Sequence, residues 1–111
     1  MNYNIIPIDK FKKQAKRLIK KYPSLKKELS ELNSLLTTNP IAGTALGNDA
    51  YKIRLAIKSK STGKSGGARI ITYVITDNKE VYLLTIYDKA ELDTVDDKTL
   101  RKIIQRIKSE R

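Results

Sequence analysis

The chain has 111 residues, with 23 Lys and Arg against 12 Asp and Glu, a net charge of +11, and neither cysteine nor histidine. That length suits one domain, residues 1–111, with a modest core, and the composition excludes disulfides, thiolate metal sites and almost every zinc ligand. No stretch approaches the roughly 20 apolar residues of a membrane span, and no basic segment precedes an apolar one at the amino terminus, so a soluble, cytoplasmic protein without a cofactor is expected.

In chain order, Asn2 to Ile6 predicts a short strand ended by Pro7. Asp9 is placed to cap a helix in which Phe11, Ala15, Leu18, Ile19 and Tyr22 recur at helical spacing, with Lys12, Lys13, Lys16, Lys20 and Lys21 opposite. Pro23 breaks the chain and Ser24 is positioned to cap a second helix, striped by Leu25, Leu29, Leu32, Leu35 and Leu36. Asn39-Pro40 ends this hairpin, and Gly43, Gly47 and Asn48-Asp49 mark a loop. Three strands are then predicted at Tyr51–Ile57, Arg69–Thr76 and Glu80–Tyr87. Asp77-Asn78-Lys79 makes a hairpin of the last two. The Gly- and Ser-rich residues 58–68 compose a mobile connection. Thr94 with Asp97 forms a capping-box-like start to a final helix whose apolar face is Leu100, Ile103, Ile104 and Ile107. The order implies an α+β fold: a small, mostly antiparallel sheet of the first strand and a three-strand meander, packed on one face by the helix hairpin, with a C-terminal helix. The other face is expected to be free to carry cations.

Charge is unevenly spread. Residues 1–38 hold nine basic and three acidic side chains, residues 39–76 six and one, and residues 77–111 eight of each. An anionic partner therefore belongs to the first two thirds. A membrane surface fits poorly, because the basic helices lack a bulky aromatic insertion face. Between Ala50 and Arg69 lie six cations and no acid. Lys52, Arg54 and Lys58 alternate with Ile53, Leu55 and Ile57, giving a strand with one cationic and one apolar face. A fixed positive surface beside a mobile positive loop suits a polyphosphate backbone, and RNA is the expected partner.

Without His, Cys or clustered carboxylates there is no nucleophilic triad and no two-metal phosphoesterase site. Gly63-Lys64-Ser65 is not a P-loop: Lys58 stands where that motif requires glycine, and a strand follows. A Lys/Arg/Tyr surface does suit cleavage of RNA by its own 2′-hydroxyl, where the substrate supplies the nucleophile. The protein then aligns the 2′-oxygen with phosphorus, stabilises extra negative charge and moves protons. Arginine binds phosphate oxygens in pairs, while lysine or tyrosine crowded by cations shifts toward the deprotonated form and can carry a proton.

The segments NP-x-x-G (Asn39 to Gly43), YKIRLA (Tyr51 to Ala56), KSGGARIITYVI (Lys64 to Ile75) and VYLLTIYDKAE (Val81 to Glu91) together resemble the RelE/HigB group of type II toxin–antitoxin toxins, within the RelE/ParE superfamily. The resemblance covers about two thirds of the chain in the family's order. It implies a ribosome-dependent mRNA endoribonuclease that inhibits translation. It also implies a cognate antitoxin carrying a DNA-binding helix-turn-helix. The family's cationic strand positions fall on Lys52 and Arg54, its phosphate-binding arginine on Arg69, and a basic residue assigned to proton transfer or the leaving group on Lys89, where lysine departs from the usual arginine. Tyr87 is the nearest counterpart of a family tyrosine that carries protons.

Lys58, Lys60 and Lys64 are read as general phosphate binders, Tyr73 as a residue that touches substrate or packs in the core, and Tyr82 as packing. Asp88 and Glu91 either orient Lys89 or cap the last helix. The ParE branch, which shares the fold and poisons DNA gyrase without catalysis, is the competing reading. A degenerate toxin that retains only antitoxin binding is a third.

Overall fold

The computed structural model describes residues 2–60, 66–92 and 95–110. Its elements are β1 (Asn4–Pro7), α1 (Asp9–Lys21), α2 (Leu25–Thr38), β2 (Thr44–Gly47), β3 (Ala50–Leu55), a 3₁₀ turn (Lys58–Lys60), β4 (Ala68–Ile75), β5 (Glu80–Asp88) and α3 (Asp97–Ser109). The five strands form one sheet in the order β1-β5-β4-β3-β2. β1 runs parallel to β5, and the other pairs are antiparallel. The chain is α+β, as the element pattern implies.

The α1–α2 hairpin carries the chain from the β1 edge to the β2 edge and covers one face. Phe11, Ala15, Leu18, Leu25, Leu32 and Leu36 meet Ile53, Ile57, Ile70, Val74, Val81 and Ile86 there. β1 pairs with β5 only as far as Leu83. Beyond it α1 takes over: Gln14 Oε1 accepts the Ile86 amide at 3.1 Å and the Thr85 hydroxyl at 2.9 Å. A backbone donor at a sheet edge that would otherwise be buried without a partner is thereby satisfied.

The sheet's other face is not left free. α3 lies on it, packing Leu100, Ile104 and Ile107 against Ile71, Tyr73, Leu84 and Tyr87. Three apolar positions at helical spacing need a surface to bury against, and the hairpin already occupies the first face. The cations therefore have only the part of this face that α3 leaves uncovered.

Several local expectations differ from the structure. The stretch around Gly43 and Gly47 holds an extra edge strand, β2, all four of whose residues are exposed. It joins β3 through Asn48 and Asp49, both at positive φ (53° and 63°), the backbone that matches the twist of a tight hairpin. β1 begins at Asn4 rather than Asn2 and does end at Pro7, its last residue, tolerated because an edge strand does not need the missing N–H. Ile8, not Asp9, is the N-cap of α1. Ser24 is the N-cap of α2 without a capping bond from its side chain, and its hydroxyl donates to the Glu28 carboxylate within that helix. Leu35 is 47% exposed, outside the apolar stripe of α2. Thr94 lies outside the described residues, and Asp96 is the N-cap of α3, accepting the Thr99 amide at 2.7 Å.

Candidate functional site

Sheet register assembles the site. Arg54 stands directly opposite Arg69, and Arg69 directly opposite Tyr87, so the three form one row across β3, β4 and β5. Opposed residues in antiparallel strands have Cα atoms about 4.5–5.5 Å apart, so the whole row spans roughly 10 Å. Alternation places all three on the α3 side of the sheet: Ala50 of β3, Ile71 and Tyr73 of β4 and Tyr87 itself belong to that side's core, while Ile53, Ala68 and Ile70 belong to the other. Lys52 shares the face, about 7 Å along β3 from Arg54.

Exposure grades along the row. Arg54 is exposed, whereas Arg69 and Tyr87 are each 5% exposed. Arg69 Nη1 donates to its neighbour's carbonyl, Ala68 O, at 3.2 Å. Tyr87 Oη is buried and, among the described residues, has no hydrogen-bond partner. A buried hydroxyl that forgoes a hydrogen bond on folding is costly; Thr72 Oγ1, in β4, is in the same state among the described residues. Lys89 follows β5, half-buried, with its amide donating to Gly67 O at 3.0 Å. That bond ties it to the entry of β4, two residues before Arg69. Gly67 is needed there because a Cβ would stand 2.0 Å from Leu55 O. The close approach that glycine permits is to a neighbouring strand rather than to a ligand.

The remaining sequence-derived positions fall elsewhere. Lys58 is exposed at the start of the 3₁₀ turn, its backbone amide donating to Glu28 Oε2 at 2.8 Å. Lys64 lies outside the described residues. Tyr73 is on the right face but four residues beyond Arg69, 5% exposed within the cluster under α3 and 6.4 Å from the Tyr82 ring. It shares that burial and that cluster with Tyr87, and differs from it in lying off the Arg54–Arg69 row. Lys60 is an internal group: its side chain is 10% exposed and its Nζ pairs with Asp88 Oδ1.

Asp88 neither orients Lys89 by its side chain nor caps α3. It is fully buried and accepts Lys60 Nζ, Tyr22 Oη at 2.7 Å and the Ala90 amide at 2.9 Å. Burial pushes its pKa up, but the bonds from Lys60, Ala90 and Tyr22 together hold it below the usual carboxylate value. Glu91 is on the surface, paired with Arg17 at 2.7 Å and Lys21 at 3.7 Å. The hydrogen bond from Arg17 holds its pKa down. Sequence reasoning missed the Asp88 cluster; its signal was a lone aspartate closing the apolar run Val81–Tyr87.

Beside the row, a cleft of about 660 Å³ lies between α2 and β3, lined among others by Leu32, Leu35, Lys52, Arg54 and Lys58. Arg54 borders both features. Among the described residues no three acidic, His or Cys side chains gather as metal ligands would, and no helix is long and apolar enough to cross a membrane.

No protein-family model matches the chain. Among solved structures it is similar to the E. coli toxin RelE. A double arginine-to-alanine mutant of that toxin in the free state aligns at 19% identity and a TM-score of 0.64, covering 96% of this chain and 99% of that one. The isolated E. coli RelE toxin aligns at 23% identity and a TM-score of 0.54, covering 95% and 98%. The likeness is one of fold over nearly the full length of both chains.

Proposed function

We propose that this chain, which has the RelE toxin fold, is the toxin of a type II toxin–antitoxin pair and cleaves mRNA on the ribosome. The observation that carries the reading is the row Arg54–Arg69–Tyr87: two opposed arginines and a buried tyrosine hydroxyl, without a hydrogen-bond partner among the described residues, on one sheet face. The arginines bind the scissile phosphate, Arg69 taking the non-bridging oxygens where charge grows in the transition state. Lys52 and Lys58 hold flanking phosphates. The substrate's 2′-oxygen attacks phosphorus, the bond to the 5′-oxygen breaks, and a 2′,3′-cyclic phosphate and a 5′-hydroxyl result. Tyr87 Oη carries a proton for this exchange, and Lys89 neutralises the leaving oxygen. The nucleophile comes from RNA, so the chemistry needs neither metal nor cofactor. The cognate antitoxin is a DNA-binding protein that neutralises the chain, which otherwise works in the cytoplasm.

The test is mapping of mRNA 5′ ends on translating ribosomes supplied with the purified protein. Wild type is expected to generate new 5′ ends within codons. Arg69→Ala is expected to reduce cleavage by about 10²–10³-fold, the range for removing one transition-state donor, with an unchanged circular dichroism spectrum. A 2′-deoxy substitution at the cleaved position abolishes the product. Intact mRNA together with trapped gyrase–DNA complexes would replace this reading with the ParE-like one, and no growth arrest on expression without antitoxin would point to a degenerate toxin.

A further inference from the structure

We infer that Asp88, with Lys60 and Tyr22, is a buried positioning clamp that holds the Lys58–Lys60 turn and the exit of β5, which flank the arginine row, in their working arrangement; the inference deepens the nuclease reading and rests on it. Asp88 stands opposite Ala68, which stands opposite Leu55. This row is immediately next to Arg54–Arg69–Tyr87 and faces the helix hairpin. The carboxylate gathers donors from three separate segments: Tyr22 from the end of α1, Lys60 from the turn after β3, and the Ala90 amide from the exit of β5. Its own backbone carbonyl accepts the Glu91 and Leu92 amides, each at 3.0 Å, closing the exit of β5 into a turn.

The turn at Lys58–Lys60 is docked by further bonds. Ser24 and Ser59 exchange amide-to-hydroxyl bonds at 3.0 Å each, and Glu28 accepts the Lys58 amide. Lys60 Nζ also lies 5.3 Å from the Tyr22 ring centroid. The base of the β3–β4 connection and the segment carrying Lys89 are thus tied to one carboxylate and to the corner between α1 and α2. A buried ion pair adds little net stability compared with apolar packing of equal volume. What this one does supply is a fixed geometry, because three converging donors admit one arrangement. Lys60, its charge engaged inside, is a positioning residue and not a phosphate ligand.

The experiment compares wild type, Asp88→Asn, Lys60→Met and the double variant by amide exchange, RNA binding and single-turnover cleavage, each below its own unfolding midpoint. The double variant removes both charges together, so it folds even if a single one leaves a buried charge unbalanced. Asp88→Asn and the double variant are expected to speed exchange at Lys60 and Ala90 by about tenfold or more while β1 and α2 are unaffected. Cleavage rate is expected to fall about 10–100-fold, the scale of a 1 Å misplacement, with RNA affinity and its salt dependence unchanged. Arg17→Gln, which breaks only an exposed pair, leaves both readouts at the wild-type value. Unchanged exchange at Lys60 and Ala90 overturns the clamp whatever the activity. So does a Lys60→Met variant that loses affinity and salt dependence, since Lys60 would then be a phosphate ligand. A wild type that does not cleave refutes the nuclease reading instead, and the exchange data still decide whether the clamp exists.

Discussion

Tyr87 gives the residue scale its clearest case. Its ring packs in the core beneath α3 while its hydroxyl, among the described residues, finds no partner. A hydroxyl kept only for packing would be better replaced by hydrogen, since an unsatisfied buried donor costs roughly 1–3 kcal/mol. Tyr87→Phe is therefore expected to leave the urea midpoint unchanged or raise it, while cleavage falls by about 10²–10⁴-fold, the range for a lost proton carrier. A fall in stability with full activity would make Tyr87 a structural residue. The buried carboxylate sets the response to acid. The folded-state pKa of Asp88 lies below its ordinary value, so the unfolded chain takes up its proton first as pH falls through about 4. Asp88 thus contributes stability above that pH and loses it progressively as pH drops toward the folded-state pKa. Glu91 and Asp96 shift in the same direction, held by Arg17 and the Thr99 amide. Thermal midpoints measured from pH 6 to pH 2 should fall on the acid side only, and less steeply in Asp88→Asn.

At the scale of elements, the contact between β3 and β4 at the end of the row is set by one glycine. A methyl group at Gly67 would meet the Leu55 carbonyl, a rigid backbone atom, at 2.0 Å. Gly67→Ala should therefore destabilise by roughly 1–3 kcal/mol or more, as overpacking of an unyielding site does, and should weaken cleavage as well, because Arg69 and the Lys89 amide bond lie within two residues. Urea unfolding and single-turnover rates on the same preparation check both. The helices illustrate how context redistributes a pattern. Leu25, Leu32 and Leu36 of α2 are buried while Leu35 is exposed, because only part of a five-leucine stripe can face a sheet that is already filled by α1. α3 takes the opposite face for the same reason.

Over the whole molecule, the excess of basic charge is divided by what it faces. Arg17, Lys21 and Lys60 are engaged with Glu91 and Asp88. Lys52 and Arg54 are the solvent-reaching cations of the β3 face, Arg54 exposed and Lys52 half-buried, while Arg69 beside them is buried. The affinity for a single-stranded RNA should fall steeply with salt, as released counterions require, by about 0.7 logarithmic units per tenfold salt for each phosphate contacted. Lys52→Ala and Arg54→Ala are each expected to lower that slope by about one contact, whereas Arg106→Ala, on the outward surface of α3 beside Glu110, leaves it unchanged. Equal effects from all three would mean diffuse attraction to the whole surface, with no strand-bound track.

Strand β3 could be read directly from Lys52, Ile53, Arg54 and Leu55, because a two-residue period fixes which side chains share a face whatever the strand pairs with. The same held for the apolar stripes of α1 and α3 and for the hairpin at Asp77–Lys79. These are short-range properties, determined by neighbours in the chain. That Arg54, Arg69 and Tyr87 would stand in one row was decided by register, which depends on how β3, β4 and β5 align and on the irregularity that shifts pairing after Ile71. That Lys60 would be internal was decided by Asp88, 28 residues away. In sequence a lysine in a Gly- and Ser-rich stretch looks solvated, because a charge's environment belongs to whatever the fold brings beside it. Composition and periodicity determined the basic character, the elements and their order; only the packed sheet decided which cations are left facing outward and which are held inside.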